Sequence, residues 1–202
     1  MSSGRRAGQR FDANHHVTTE AMLFLGELDP GAMGPGLEHA THYEATPVAD
    51  FAALLAAAPI AADEFSFIDI GSGMGRVVLL AARMPFRQVV GVELSGALHA
   101  IARDNLKAYT GRPLRCRDVR LVHRDAADYH FPAGNIVVFF YNPFFAPMLA
   151  RIVQNLMACG GGRDVVVLYH TPVHRSVFEA SAAFEVIADL GLGVVYRLRA
   201  AD

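Results

Sequence analysis

From residue 66 onward the chain alternates short apolar runs with helix-length segments, and few folds accommodate that rhythm. "SFIDI", "QVVGVEL", "VRLVH", "NIVVFFYN" and "DVVVLYH" are β-branched or aromatic and apolar at successive positions. Strands of this kind are expected to be covered on both faces, as in a parallel sheet flanked by helices. The intervening segments, 75–84, 96–109, 145–158 and about 173–182, have the length of crossover helices. Residues 17–28 and 47–58 are read as further helices. The ending differs. "FEVIADLGLGVVYRLRA" holds two strand-like runs joined near Gly191 and Gly193, the pattern of a hairpin, which adds an antiparallel strand at that edge. The expectation is an α/β, Rossmann-like, doubly wound and mostly parallel sheet.

Bulk properties narrow the class without naming a partner. At 202 residues, 52% hydrophobic and 19% charged, the chain is long enough for a full core and too apolar to be disordered. A net charge of −2 gives no global pull toward nucleic acid, although Arg112, Arg115, Arg117, Arg120 and Arg124 cluster locally. Nucleic acid is therefore disfavoured as a partner. The opening "MSSGRRAGQRFDANHH" lacks an apolar signal region, and the longest greasy run, "FAALLAAAPIAA", is too short to span a bilayer. A cytoplasmic protein without membrane contact is expected. Residues 1–10 read as a solvated basic tail, and Cys116 and Cys159 as free thiols.

One unit carries chemistry. "FIDIGSGMGRVVLLAA" is a strand, a glycine loop and a helix start, placed where open α/β sheets bind ligands. Gly71, Gly73 and Gly75 spell G-x-G-x-G, whereas a dinucleotide loop places its third glycine where Arg76 stands. Asp69 ends the strand just ahead of the loop. An anion there repels a pyrophosphate and welcomes an ammonium or sulfonium, which favours S-adenosylmethionine. Glu93 closes the next strand, where a carboxylate serves ribose hydroxyls, and Asp125 closes the one after, where it serves an adenine amino group, with Ala126 as the adjacent backbone donor. A dinucleotide site uses the same acid at Glu93, so an NAD-dependent oxidoreductase remains the rival.

Taken together, "DIGSGMG", "GVE", "RDAAD" and "FFYNPF" resemble the ordered motifs of the class I S-adenosylmethionine-dependent methyltransferases. That resemblance implies a seven-stranded sheet with a reversed last strand. It also implies that Asp69, Gly71, Gly73 and Gly75 cradle the methionine half of the cofactor, Glu93 the ribose and Asp125 the adenine beside Ala126, with Leu94 also among the cofactor-binding residues. "HYEATP" is similar to a loop of DOT1-like and small archaeal protein lysine methyltransferases, and by that analogy Tyr43 and Thr46 touch the cofactor. Residues 1–45 are then expected as an N-terminal helical or lid segment and 46–202 as the cofactor-binding methyltransferase domain.

Methyl transfer is an in-line displacement in which the enzyme mainly positions a lone pair and excludes water. The end of the fourth strand faces the reacting carbon, so Asn142, Tyr141 and Phe144 are the candidate catalytic residues. Asn142 would accept from a substrate N–H, and the aromatics would wall a channel suited to an amine. The acceptor is expected to be a nitrogen on a protein lysine or small amine. A small-molecule hydroxyl and a binding module without turnover are the alternatives. His170, at the predicted end of the fifth strand, is a candidate base. His170 and His174 are not expected to share a metal, since Pro172 lies between them.

Overall fold

The computed structural model describes residues 3–24, 42–141, 146–159 and 162–199. Its helices are α1 (Ser3–His15), α2 (Val48–Ala57), α3 (Arg76–Ala82), α4 (Gly96–Ala108), α5 (Ala146–Cys159) and α6 (Ser176–Glu179). Its strands are β1 (Met22–Phe24), β2 (His42–Glu44), β3 (Phe65–Ile70), β4 (Gln88–Glu93), β5 (Val119–His123), β6 (Asn135–Tyr141), β7 (Val165–His170), β8 (Phe184–Asp189) and β9 (Gly193–Leu198).

Seven strands form one sheet in the order β5-β4-β3-β6-β7-β9-β8. β3, β4, β5, β6 and β7 pair in parallel, while β9 runs antiparallel to both β7 and β8. The terminal hairpin thus supplies the expected reversed strand. Alternate residues of each central strand feed opposite faces. Ile68, Ile136, Val138 and Phe140 join a core under α5, whereas Phe67, Val137 and Phe139 join one under α2 and α3. α5 turns Leu149, Ile152, Val153 and Leu156 inward, the spacing of a single helical stripe. α4 starts on a Ser95 cap and buries Leu98, Ala102 and Asn105 in the same manner.

Four expectations change. Residues 3–10 are not a solvated tail but most of α1. Gly8 and Phe11 are buried on one face while Arg5, Arg6 and Arg10 stay exposed on the other. Phe11 and Val17 enter the same core as Val77 and Leu79. Residues 17–24 are not helical: the Thr19 and Glu20 N–H groups donate to Asp12 Oδ2 at 2.6 and 2.7 Å, and Met22–Phe24 pairs with His42–Glu44 instead. The helix expected near 173–182 shortens to Ser176–Glu179. Finally, β5 is an edge strand with Arg120 and His123 exposed, so it is not covered on both faces.

Candidate functional site

The chain leaves β3 for β4 and β5 on one side and returns to β6 on the other, so the carboxyl ends of β3, β4 and β6 flank the point of reversal. After Asp69 and Ile70, the backbone passes through Gly71, Gly73 and Gly75 at φ of 78°, 52° and 85°. Only glycine adopts three such values in five residues without strain. The Gly71 and Ser72 N–H groups both donate to the Val92 carbonyl, at 2.9 and 3.0 Å, pinning the loop to the end of β4.

Glu93 completes that attachment. Its Oε2 accepts from the Gly73 N–H at 2.8 Å and its Oε1 from the Ser95 N–H at 2.7 Å. The Leu94 N–H also acts on this carboxylate, which with about four acceptor sites retains room for a further donor. Burial pushes the Glu93 carboxyl above its ordinary range, and the amide donors resist that rise. Asp69 is only 3% exposed. Burial first, and the Glu93 charge second, push its carboxyl well above the usual carboxylate range. The strand ends therefore hold two buried acids whose ionised forms call for a cation.

Of the other expected cofactor residues, Tyr43 and Thr46 meet this loop and its helix, while Leu94, Asp125 and Ala126 follow the carboxyl ends of β4 and β5. A Cβ on Gly73 would lie 2.2 Å from Tyr43 Cε2, so the Tyr43 ring rests directly on the glycine. The Tyr43 hydroxyl donates to the Thr19 carbonyl at 2.7 Å, and burial holds its phenol protonated beyond the ordinary range. Thr46 is buried, and its carbonyl accepts from Arg76 Nη1 at 3.4 Å. Leu94 is half-buried, with its carbonyl 2.8 Å from His123 Nε2. Asp125 Oδ1 accepts from the Ala127 N–H at 2.8 Å and caps the short turn Ala126–Asp128, in which Ala126 is buried.

Two residues that bind this region together were not foreseen. Arg76 is buried, with Nε 2.7 Å from Thr19 Oγ1, Nη1 2.7 Å from Glu20 Oε2 and Nη2 3.4 Å from Asp12 Oδ1. Asn105 accepts from the Thr18 N–H and donates to the Thr18 and Met74 carbonyls, all at 2.8–2.9 Å. An internal arginine opening a helix and an asparagine within an apolar stripe were the available signals.

A second group lies at the carboxyl ends of β6 and β7. Tyr141, at the end of β6, pairs in register with His170, at the end of β7, and their rings meet edge-on at 4.4 Å. His170 is 3% exposed, and its Nε2 stands 3.1 Å from Asp50 Oδ2 in the first turn of α2. Burial lifts the Tyr141 phenol above its ordinary range, and Glu44 adds to that through its charge and a hydrogen bond. A cleft of about 460 Å³ is lined by Pro47, Asp50, Tyr141, His170 and Pro172, among others. Of the candidate catalytic residues, Tyr141 is here; Asn142 and Phe144 lie outside the described residues. Glu44 and Asp50 were also missed, since one reads as part of a loop motif and the other as an ordinary first-turn acid. Among the described residues no helix is long and apolar enough to cross a membrane, and no group of three metal-ligating side chains converges.

Residues 67–159 match the family model of a methyltransferase domain. The chain is similar to the crystal structure of an RNA methyltransferase from Salinibacter ruber in complex with S-adenosyl-L-homocysteine, at 22% identity and a TM-score of 0.50, covering 76% of this chain and 91% of that one. It is also similar to a ribosomal protein L11 methylase from Lactobacillus delbrueckii subsp. bulgaricus, at 14% identity and a TM-score of 0.54, covering 76% and 77%. A mitomycin 7-O-methyltransferase gives 15% identity and a TM-score of 0.54, covering 76% and 54%. No curated protein matches the chain. The names of those three structures carry three kinds of acceptor, so the likeness speaks for the fold and not for a substrate. Residues 67–159 are thus similar to a methyltransferase domain, and the seven-stranded sheet with its reversed last strand is the class I methyltransferase fold.

Proposed function

We propose that the chain transfers a methyl group from S-adenosylmethionine to an amine nitrogen, on a protein lysine or on a small molecule. The observation that carries the reading is the pair of buried carboxylates, Asp69 and Glu93, around a left-handed glycine loop. Their charge suits a cationic nucleoside and opposes a pyrophosphate, which disfavours the NAD rival. Asp69 and the glycines would hold the donor's amino-acid half. The acceptor room left on Glu93 would take its ribose hydroxyls, with Leu94 beside them. Asp125 and Ala126 would meet its adenine, and Tyr43 and Thr46 would cover it. When bound, S-adenosylmethionine supplies an electrophilic methyl carbon on a sulfonium.

The acceptor side supports nitrogen over oxygen. Glu44 and Asp50 both act electrostatically on Tyr141 and His170, so the cleft beside them is negative and aromatic. Such a surface draws an ammonium and orients it over a ring face. Asn142 and Phe144 remain candidates for steering the nitrogen.

A nucleic-acid acceptor is the second reading. The net charge does not set it aside, because Arg112, Arg115, Arg117, Arg120 and Arg124 are all exposed along or beside the β5 edge. Phosphate contacts need only such a local stripe. Two experiments separate the readings. Calorimetric titration with S-adenosylmethionine and NAD identifies the donor, and labelled donor incubated with a fractionated lysate identifies the acceptor. Label in protein or small amines supports the proposal; label in RNA or DNA selects the second reading.

A further inference from the structure

We propose that His170 and Asp50 form a proton-accepting pair that deprotonates the methyl acceptor, an inference that rests on the amine-methylation reading above. A carboxylate can only accept, so the 3.1 Å contact with Asp50 Oδ2 assigns the ring proton to His170 Nε2. Nδ1 then presents a lone pair. That nitrogen is buried and has no hydrogen-bond partner among the described residues, and Asp50 and His170 both line the 460 Å³ cleft. A histidine kept only for packing ordinarily satisfies both nitrogens when 97% of its surface is covered, so an orphaned one calls for a ligand. The next residue, Thr171, stands at φ 48°, a conformation that a β-branched side chain resists and that clusters near functional sites.

The surroundings suit a base. From α2 Asp50 and from β2 Glu44 raise the affinity of His170 for a proton, while burial lowers it and prevails, so the imidazole is neutral at neutral pH. From β6 Tyr141 packs against the ring and stays protonated. From β9 Gly193 stands opposite and contributes no side chain. The step is a single proton transfer. An N–H bond of the acceptor ammonium breaks, its electron pair stays on nitrogen, an Nδ1–H bond forms, and Asp50 balances the imidazolium. The proton returns to water after the product leaves.

The test uses the full chain with S-adenosyl-L-homocysteine bound and n-butylamine as a lysine-like probe. Histidine ¹⁵N spectra, assigned with His170→Gln, are expected to show Nε2 protonated and Nδ1 bare at pH 7, with Nδ1 shifting on addition of n-butylammonium chloride. In methylation of n-butylamine, His170→Gln is expected to lower kcat at least a hundredfold with KM within threefold, and to recover as pH approaches the amine's own pKa. Asp50→Asn is expected to move the His170 titration to lower pH. A protonated Nδ1 at pH 7, an Nδ1 unmoved by the probe, or an unchanged kcat in His170→Gln with donor affinity retained would overturn the pair while leaving the methyltransferase reading intact. Failure of the wild-type chain to bind S-adenosylmethionine would instead remove that reading, and the pair with it.

Discussion

The Arg76 guanidinium holds the Glu20 carboxylate at 2.7 Å, joining the first turn behind the glycine loop to a residue 56 positions earlier. Thr19 and Asp12 share the same guanidinium, and its carbon lies 5.6 Å above the Phe11 ring. Arg76→Met would leave Asp12 and Glu20 facing a buried void without their cation. The expected loss is about 3–5 kcal/mol, read as a lower urea midpoint with an unchanged slope. Glu20→Gln, at a carboxylate 13% exposed, is expected to cost clearly less.

Asn105 gives an independent check of the same seam. Asn105→Ala strands the Thr18 N–H and the Thr18 and Met74 carbonyls, at about 1 kcal/mol for each lost bond. Proteolysis within residues 16–21 is expected to speed up, together with amide exchange at Thr18. Unaltered cleavage would show that the segment is held by other means.

The two buried acids make stability depend on pH in a direction opposite to that of a salt-bridged carboxylate. Asp69 and Glu93 hold protons more tightly folded than unfolded. Between the unfolded value, about 4, and the raised folded values, the native state binds more protons. Stability of the donor-free chain therefore falls as pH rises through that window and levels off above it. Asp69→Asn removes its share of the penalty. The variant is expected to be more stable than wild type at pH 7, with a flatter pH profile, and to lose S-adenosylmethionine affinity at least tenfold. Urea titrations from pH 5 to 8 and calorimetry check both halves; parallel pH profiles would contradict the first.

Gly73→Ala tests the contact between the glycine loop and Tyr43 of β2. The new methyl falls 2.2 Å from the Tyr43 ring at a backbone φ of +52°. The expected cost is about 1–3 kcal/mol from overpacking and the left-handed backbone. Donor affinity is expected to drop as well, since Tyr43 must swing aside. Tyr43→Ala in the same chain is expected to restore part of the stability, because only the backbone cost then remains.

The strand–glycine–helix unit and the terminal hairpin were legible because their signals are local: apolar runs, turn glycines and acids at strand ends. What stayed hidden depends on partners far along the chain. "MSSGRRAGQR" looks like a solvated tail because it holds no large apolar residue beyond Met1, and the Phe11 and Asp12 that fix the helix answer residues near position 76. "VTTEAMLF" reads as a helix by composition, yet its donors are captured by Asp12 and its last residues pair with Tyr43 and its neighbours. "VRLVH" looked like an interior strand because two-sided burial and a half-exposed edge give similar short runs. Asp69, Glu93 and Asp125 were visible as acids at strand ends. Glu44 and Asp50 were not, because only the folded chain brings them to Tyr141 and His170.

The seam between α1 and the glycine loop also bears on how such proteins exchange parts. Grafting residues 67–159 of this chain onto another scaffold would transplant Arg76 and Asn105 without the acids and backbone they answer. A viable chimera would have to import the first twenty residues too, so the transferable unit here is larger than the stretch that matches a methyltransferase domain.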